Sequence, residues 1–195
     1  MSSPFTSVFL FGRSVNNFLV TGPKAYLTYT TSVALGTQTG MEECKFQFAW
    51  GGWNCPEHAF QFSTHNRVGG ATRESSFIHA IRSAGVVYII TKNCSMGDFE
   101  NCGCDGSKNG KAGGHGWIWG GCSDNIEFGE QISRVFVDSL ERGKDARALV
   151  NLHNSRAGRL VGTTVPHNLV DTEVILFGQW SLTVTQSCLT PRFHP

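Results

Sequence analysis

The residues with the most chemistry to offer are seven cysteines: Cys44, Cys55, Cys94, Cys102, Cys104, Cys122 and Cys188. Cysteines can hold zinc, act as nucleophiles or form disulfides, and their surroundings discriminate among these roles. Structural zinc sites present ligand pairs two to four residues apart, because a short knuckle aims both sulfurs at one ion. Here ten residues separate Cys44 from Cys55, seven separate Cys94 from Cys102, one separates Cys102 from Cys104, and seventeen separate Cys104 from Cys122. No C-x-x-C occurs, and His115, which could add a ligand, sits in a glycine run. A catalytic thiol needs a lowered pKa and a neighbouring base. No spacing pairs a cysteine with a histidine. His153 falls on the apolar stripe of a helix, where a hydrogen-bonded core residue is expected, and His79 falls on the polar flank of another. Disulfides fit best. Cys102 and Cys104, one residue apart, point to opposite sides of an extended backbone and suit two different partners. The simplest pairing is sequential, but spacing alone does not select it from the alternatives. Asn93-Cys94-Ser95 adds an N-x-S glycosylation sequon beside these cysteines.

Such residues need a scaffold. The chain has 195 residues, 40% hydrophobic and 16% charged, with a formal net charge of +1. That composition supports a folded core and gives no electrostatic footprint for nucleic acid or an acidic membrane. No run of eighteen apolar residues appears. Paired carboxylates, a phosphate loop and a nucleophile elbow are absent, so neither an enzyme nor a cofactor is expected. The glycines from Gly110 to Gly116 lack the strand–helix context of a phosphate loop and read as a hairpin connection.

Ser14 to about Phe48 is compatible with helix, broken near Gly22-Pro23. Thr72 to Lys92 is the clearest helix: Phe77, Ile81, Ala84 and Tyr88 form one stripe, and Ile78, Val87, Ile89 and Ile90 widen it toward burial on most sides. The turn pairs Asp105-Gly106 and Asn109-Gly110, with the strand formers Trp117-Ile118-Trp119, predict a small hairpin tied by cysteines. Asp124 with Glu127 is a capping pair for a further helix with the stripe Phe128, Ile132, Val135, Phe136 and Leu140, terminated by Gly143. Asp145 caps the next helix, with Ala146, Leu149, His153, Ala157 and Leu160 on its apolar face.

Several long segments then carry a resemblance. They are ECKFQFAW with WNCP (43–56), TRESSFIHAI (72–81), SAGVVYIITKNCSMG (83–97), CGCD (102–105), WIWGGCSDNIEFG (117–129) and FVDSLERGKDARALVNLHNSRAGR (136–159). In this order they resemble the N-terminal part of the Wnt family of secreted, lipid-modified signalling ligands, most closely its Wnt-8 branch, from about Ser14 to Leu160. The resemblance implies a mainly α fold: a disulfide-stapled helical N-terminal domain with small β-hairpins. It implies the pairs Cys44–Cys55, Cys94–Cys102 and Cys104–Cys122, a glycan on Asn93, and an extracellular protein whose partners are Frizzled receptors and co-receptors. Neither nucleic acid nor metal is among the expected partners.

The departures from the family pattern shape the remaining expectations. Residues 1–13 make a poor signal peptide, with no basic segment and only a short apolar stretch from Val8 to Phe11. Trp50-Gly51-Gly52-Trp53 lacks the family's arginine before the second tryptophan. After Val161-Gly162 the family continues to a C-H-G-x-S-G-S-C motif, whose first serine carries an unsaturated acyl chain that fills a groove on Frizzled. Residues 163–195 contain no such motif, and no Lys or Arg between 163 and 191. Three segments are therefore expected: an atypical start (1–13), a helical Wnt domain (14–162) and a divergent, disordered or strand-like tail (163–195). Cys188 is expected as an unpaired thiol, and no residue as a lipidation site. The expected role is that of a truncated, signalling-defective ligand; the alternative is a non-signalling fragment or decoy for a co-receptor, carrier or matrix.

Overall fold

The computed structural model describes residues 23–60, 72–114, 116–139, 141 and 145–164. Four helices form a bundle: α1 (Pro23–Gln47), α2 (Arg73–Met96), α3 (Ile126–Asp138) and α4 (Ala146–Thr164). A short 3-10 turn (Glu57–Phe60) lies between α1 and α2. Strands β1 (Ala112–Gly114) and β2 (Trp117–Ile118) pair antiparallel between α2 and α3. The fold is mainly α with one small hairpin, as the sequence leads one to expect.

Helix α2 is the axis of the bundle, and α1, α3 and α4 all pack on it. Its ends are set locally. Thr72 and Ser75 form a reciprocal capping box, with Ser75 N–H donating to Thr72 Oγ1 and Thr72 N–H to Ser75 Oγ. Gly97, at φ 85°, ends the helix in the left-handed conformation that glycine adopts without a Cβ penalty. The helix therefore runs one turn past Lys92. Phe77, Ile78, Ile81, Ala84, Val87 and Ile90 are all buried, so two clusters share this one helix.

Each contact with α2 is a close approach at glycine. A Cβ on Gly36 would lie 2.6 Å from Val86 Cα, and one on Gly40 2.8 Å from the Ile81 carbonyl. Gly129 of α3 sits against Thr91, and Gly158 of α4 against the Ala80 carbonyl. Ser32, Gly36, Gly40 and Cys44 recur every fourth residue along α1, which makes one ridge of small side chains facing the partner helix. This tertiary packing overrides the β-branched run Thr28–Val33, which is helical.

Three local expectations are corrected. The cap of α3 is Asn125, whose Oδ1 accepts from Phe128 N–H at 3.0 Å; Asp124 instead accepts from Ser95 Oγ and ties α3 to α2. Helix α3 stops at Asp138 with Ser139 as its cap, short of Gly143. Helix α4 is capped by Asp145 as expected, with Ala148 N–H donating to Asp145 Oδ1 at 2.9 Å, but its stripe faces the other way. Ala146, Leu149, His153 and Leu160 are exposed, whereas Ala148, Asn154, Ser155, Gly158, Arg159 and Val161 face the bundle. The tight approach at Gly158 selects a small and polar face for burial. Helix α4 also continues to Thr164, past Val161-Gly162. The atypical start (1–13), His115 and the tail from residue 165, including Cys188, lie outside the described residues.

Candidate functional site

The framework cysteines occupy the two ends of the α2 axis. Cys44, near the end of α1, is bonded to Cys55, and both sulfurs are fully buried in the cluster around Phe77 and Ile78, at the start of α2. Cys55 holds φ 46°, unusual for a side-chain-bearing residue, in the loop that this bridge closes. Phe48 and Trp53 pack edge-on beside it, and each also packs edge-on against Phe77. The loop between the tryptophans is held in this way without the family's arginine, while Trp50 is fully exposed.

At the other end of α2, Cys94 is bonded to Cys102, and Cys104 to Cys122. Phe99, inside the first loop, stacks on Tyr29 of α1 with ring centroids 4.5 Å apart, so this bridge is part of the second core cluster. The second bridge is exposed. It closes the stem of the hairpin beside backbone bonds between Asp105 and Ser123 in both directions at 2.7 Å. The six sulfurs are therefore consumed pairwise, which leaves no thiolate among them for metal or catalysis. Among the described residues, no group of three His, Cys, Asp or Glu side chains is placed to hold a metal ion.

All three sequon residues are engaged. Asn93 lies half-buried in the last turn of α2, and its Nδ2 donates to Ser32 Oγ at 2.9 Å. Cys94 is in its bridge, and Ser95 Oγ donates to Asp124 and to the Thr91 carbonyl. Asn125 Nδ2 donates to the Gly103 carbonyl at 3.0 Å, joining the cap of α3 to the cysteine loops.

A second polar constellation was not anticipated. His79, placed on a polar flank by the sequence, is 1% exposed, whereas His153, expected in the core, is exposed. Arg82, one turn beyond His79, is also 1% exposed, with its guanidinium 3.2 Å from His79 Nδ1. Burial pushes Arg82 down to about 10, against the opposing charges of Glu141 and Asp138. Burial also raises the Glu141 carboxyl, opposed by a hydrogen bond with Asn151 and by Arg82. Arg159 completes the seam with two bonds to Asp138, at 2.7 and 3.0 Å. Glu141 Oε1 also lies 3.9 Å from His79 Nδ1. The nearer guanidinium, which can only donate, makes that nitrogen an acceptor and the imidazole neutral, so the longer contact is not an ion pair. One sequence signal pointed to this seam: a helix apolar on most sides leaves His79 and Arg82 no solvent to face. The cluster joins α2 to the end of α3 and to α4.

These features recur in known proteins. Residues 20–168 match the model of the Wnt family. The chain is 84% identical to protein Wnt-8a of Homo sapiens over 147 residues, which is 75% of this chain and 42% of that protein. It is 71% identical to protein Wnt-8c of Gallus gallus, over 75% of this chain and 41% of the relative. Among solved structures it is similar to a chain in human WLS in complex with WNT8A, at 77% identity and a TM-score of 0.55, over 76% of this chain and 49% of that one. The chain thus spans about two fifths of the length of these curated relatives. With the fold, the bridges and the family match in agreement, this chain belongs to the Wnt family.

Proposed function

We propose that this chain is the helical N-terminal domain of a Wnt-8-type signalling ligand, made for an oxidising extracellular space, and that these 195 residues do not themselves activate the pathway. The observation that carries the reading is the family match over residues 20–168, together with three bridges that fix both ends of α2. Disulfides of this kind persist in secreted proteins and are reduced in the cytosol. Asn93, in the sole N-x-S sequon of the chain, is the proposed glycan acceptor, and Cys188 the proposed unpaired thiol.

The signalling defect follows from binding energetics. Burying an acyl chain yields about 0.8 kcal/mol per CH₂, so roughly ten buried carbons supply about 8 kcal/mol. The C-H-G-x-S-G-S-C sequence that would carry such a chain does not occur within these residues. Frizzled and co-receptors remain the partners proposed from family, with weak binding to Frizzled. The purified chain is expected to leave a β-catenin reporter silent, and robust activation by acyl-free protein would overturn the assignment.

A second reading is a non-signalling fragment that occupies a carrier, a co-receptor or matrix. The similarity to a chain in the WLS–WNT8A complex favours the carrier among these. Pull-down against the carrier and the receptor ectodomains separates the readings: capture by the carrier alone supports the fragment, weak capture by Frizzled supports the first reading, and strong capture by Frizzled without acylation opposes both.

A further inference from the structure

Asn93 and Ser95 reach in different directions. Asn93 Nδ2 donates to Ser32 Oγ of α1 at 2.9 Å, whereas Ser95 Oγ donates to Asp124, the residue before the cap of α3. Helix geometry enforces the split, because residues two apart on a helix lie about 200° apart around its axis. An N-x-S sequon is defined by both side chains, the amide that accepts the sugar and the hydroxyl two residues on. One enzyme can hold both only where they share a side. They share it on an extended backbone, where alternate side chains face the same way. The end of α2 is therefore the wrong shape for the modification that its own residues encode.

Three features hold that shape. The N–H groups of Gly97 and Asp98 return to the carbonyls of Cys94 and Asn93, each at 3.0 Å, and close the last turn. Cys94, 2% exposed, is bonded to Cys102. Phe99, inside the loop between them, stacks on Tyr29 of α1. These holds differ in permanence. A hydrogen-bonded helix end frays at little cost and recloses within about a microsecond. A disulfide closes in seconds to hours and reopens only by thiol attack. The bridge converts a fraying turn into a fixed one.

We propose that glycan transfer to Asn93 and closure of Cys94–Cys102 compete for the same open segment, so that the sugar is added before this bridge forms or not at all; the ordering rests on the reading of Asn93 as the glycan acceptor. In the transfer, Asn93 Nδ2 bonds to the anomeric carbon of a lipid-pyrophosphate-linked oligosaccharide. The bond from that carbon to the pyrophosphate oxygen breaks, the lipid pyrophosphate leaves with the electron pair, and the amide nitrogen gives one proton to a base of the transferase. In the closure, the thiols of Cys94 and Cys102 lose two electrons and two protons to an oxidising disulfide, which becomes two thiols. The two products are compatible. A glycosylated Nδ2 keeps one N–H for Ser32, and Asn93 is only half-buried, so the sugar has a path to solvent. Order excludes one step, not the final state.

Purified oligosaccharyltransferase, a lipid-linked oligosaccharide and the full chain test it, with occupancy of Asn93 read by mass spectrometry. The reduced, unfolded chain should be modified at least tenfold faster than the folded, disulfide-bonded chain. Oxidised glutathione added together with the enzyme should lower the occupancy of the initially reduced chain at least fivefold. Cys94→Ser combined with Cys102→Ser keeps an N-x-S sequon and cannot close the bridge, so its occupancy should change less than twofold with the same oxidant. Cys44→Ser combined with Cys55→Ser removes a different bridge and should respond as the native chain does. Equal rates for unfolded and folded chains overturn the proposal. So does a fivefold fall in the Cys94 and Cys102 variant, or no fall in the Cys44 and Cys55 variant, which would make overall folding the competitor. Transfer to neither form of the native chain overturns the acceptor reading itself, and the ordering with it.

Discussion

Arg82 illustrates what one residue can cost and what offsets it. A guanidinium with 1% exposure is tolerated because Glu141 and Asp138 oppose its charge and His79 accepts from it. Burial lifts the Glu141 carboxyl above its ordinary 4.5, so the folded state holds that proton to higher pH than the unfolded state does. Its contribution to stability is then greatest below about pH 4.5 and declines as pH rises through the raised value. Glu141→Gln should flatten this decline, read as the change in urea midpoint between pH 4 and pH 7 against the native protein. The neighbouring pair makes a simpler case. Arg159 is 3% exposed and bonds Asp138 through both terminal nitrogens. Removing one partner of a buried pair costs about 3–5 kcal/mol, and the partial exposure of Asp138 places Arg159→Ala at the lower end of that range. Denaturant unfolding measures it, and an unchanged midpoint would show the seam to be incidental.

At the scale of elements, the helices meet through glycine. A Cβ on Gly158 would overlap the Ala80 carbonyl, which belongs to the backbone of α2 and has little freedom to retreat. Gly158→Ala should destabilise by about 1–3 kcal/mol through overpacking, whereas Gly52→Ala, with nothing within 4 Å, should be near neutral. Comparing the two melting temperatures checks the argument. The bridges divide in the same way. Cys44 and Cys55 are fully buried, and replacing both by serine should cost about 2–4 kcal/mol and loosen the packing around Phe77. Cys104 and Cys122 lie outside both core clusters, so their double serine variant should lose hairpin order while retaining helix content by circular dichroism. Much at this scale was legible in sequence. The stripe Phe77, Ile81 and Ala84 announced α2, and the turn pairs before Trp117 announced the hairpin. The direction of α4 was not legible, since apolar periodicity locates a stripe without saying whether a neighbouring helix can approach it.

For the whole molecule, the three bridges staple the two ends of a single helical axis, and their accessibility sets the order in which they yield. Thiolate attack requires access to sulfur. Graded reduction of the native chain, followed by alkylation and mass spectrometry, should therefore open Cys104–Cys122 first and Cys44–Cys55 last. Simultaneous opening of all three would mean that the bundle unfolds as one unit before any sulfur is reached.

The sequence by itself determined the family, the helical class, the sites of the cysteines and the sequon, because these depend on residue identity and on local periodicity. Tertiary structure decided which faces met. Asn125 rather than Asp124 became the cap because Asp124 had Ser95 to bind across the bundle. His79 went inside and His153 outside because α2 is enclosed by three helices, while α4 touches the bundle only along the side where Gly158 lets it come close. Burial depends on which surfaces can approach one another, and that depends on distant residues that no local window contains.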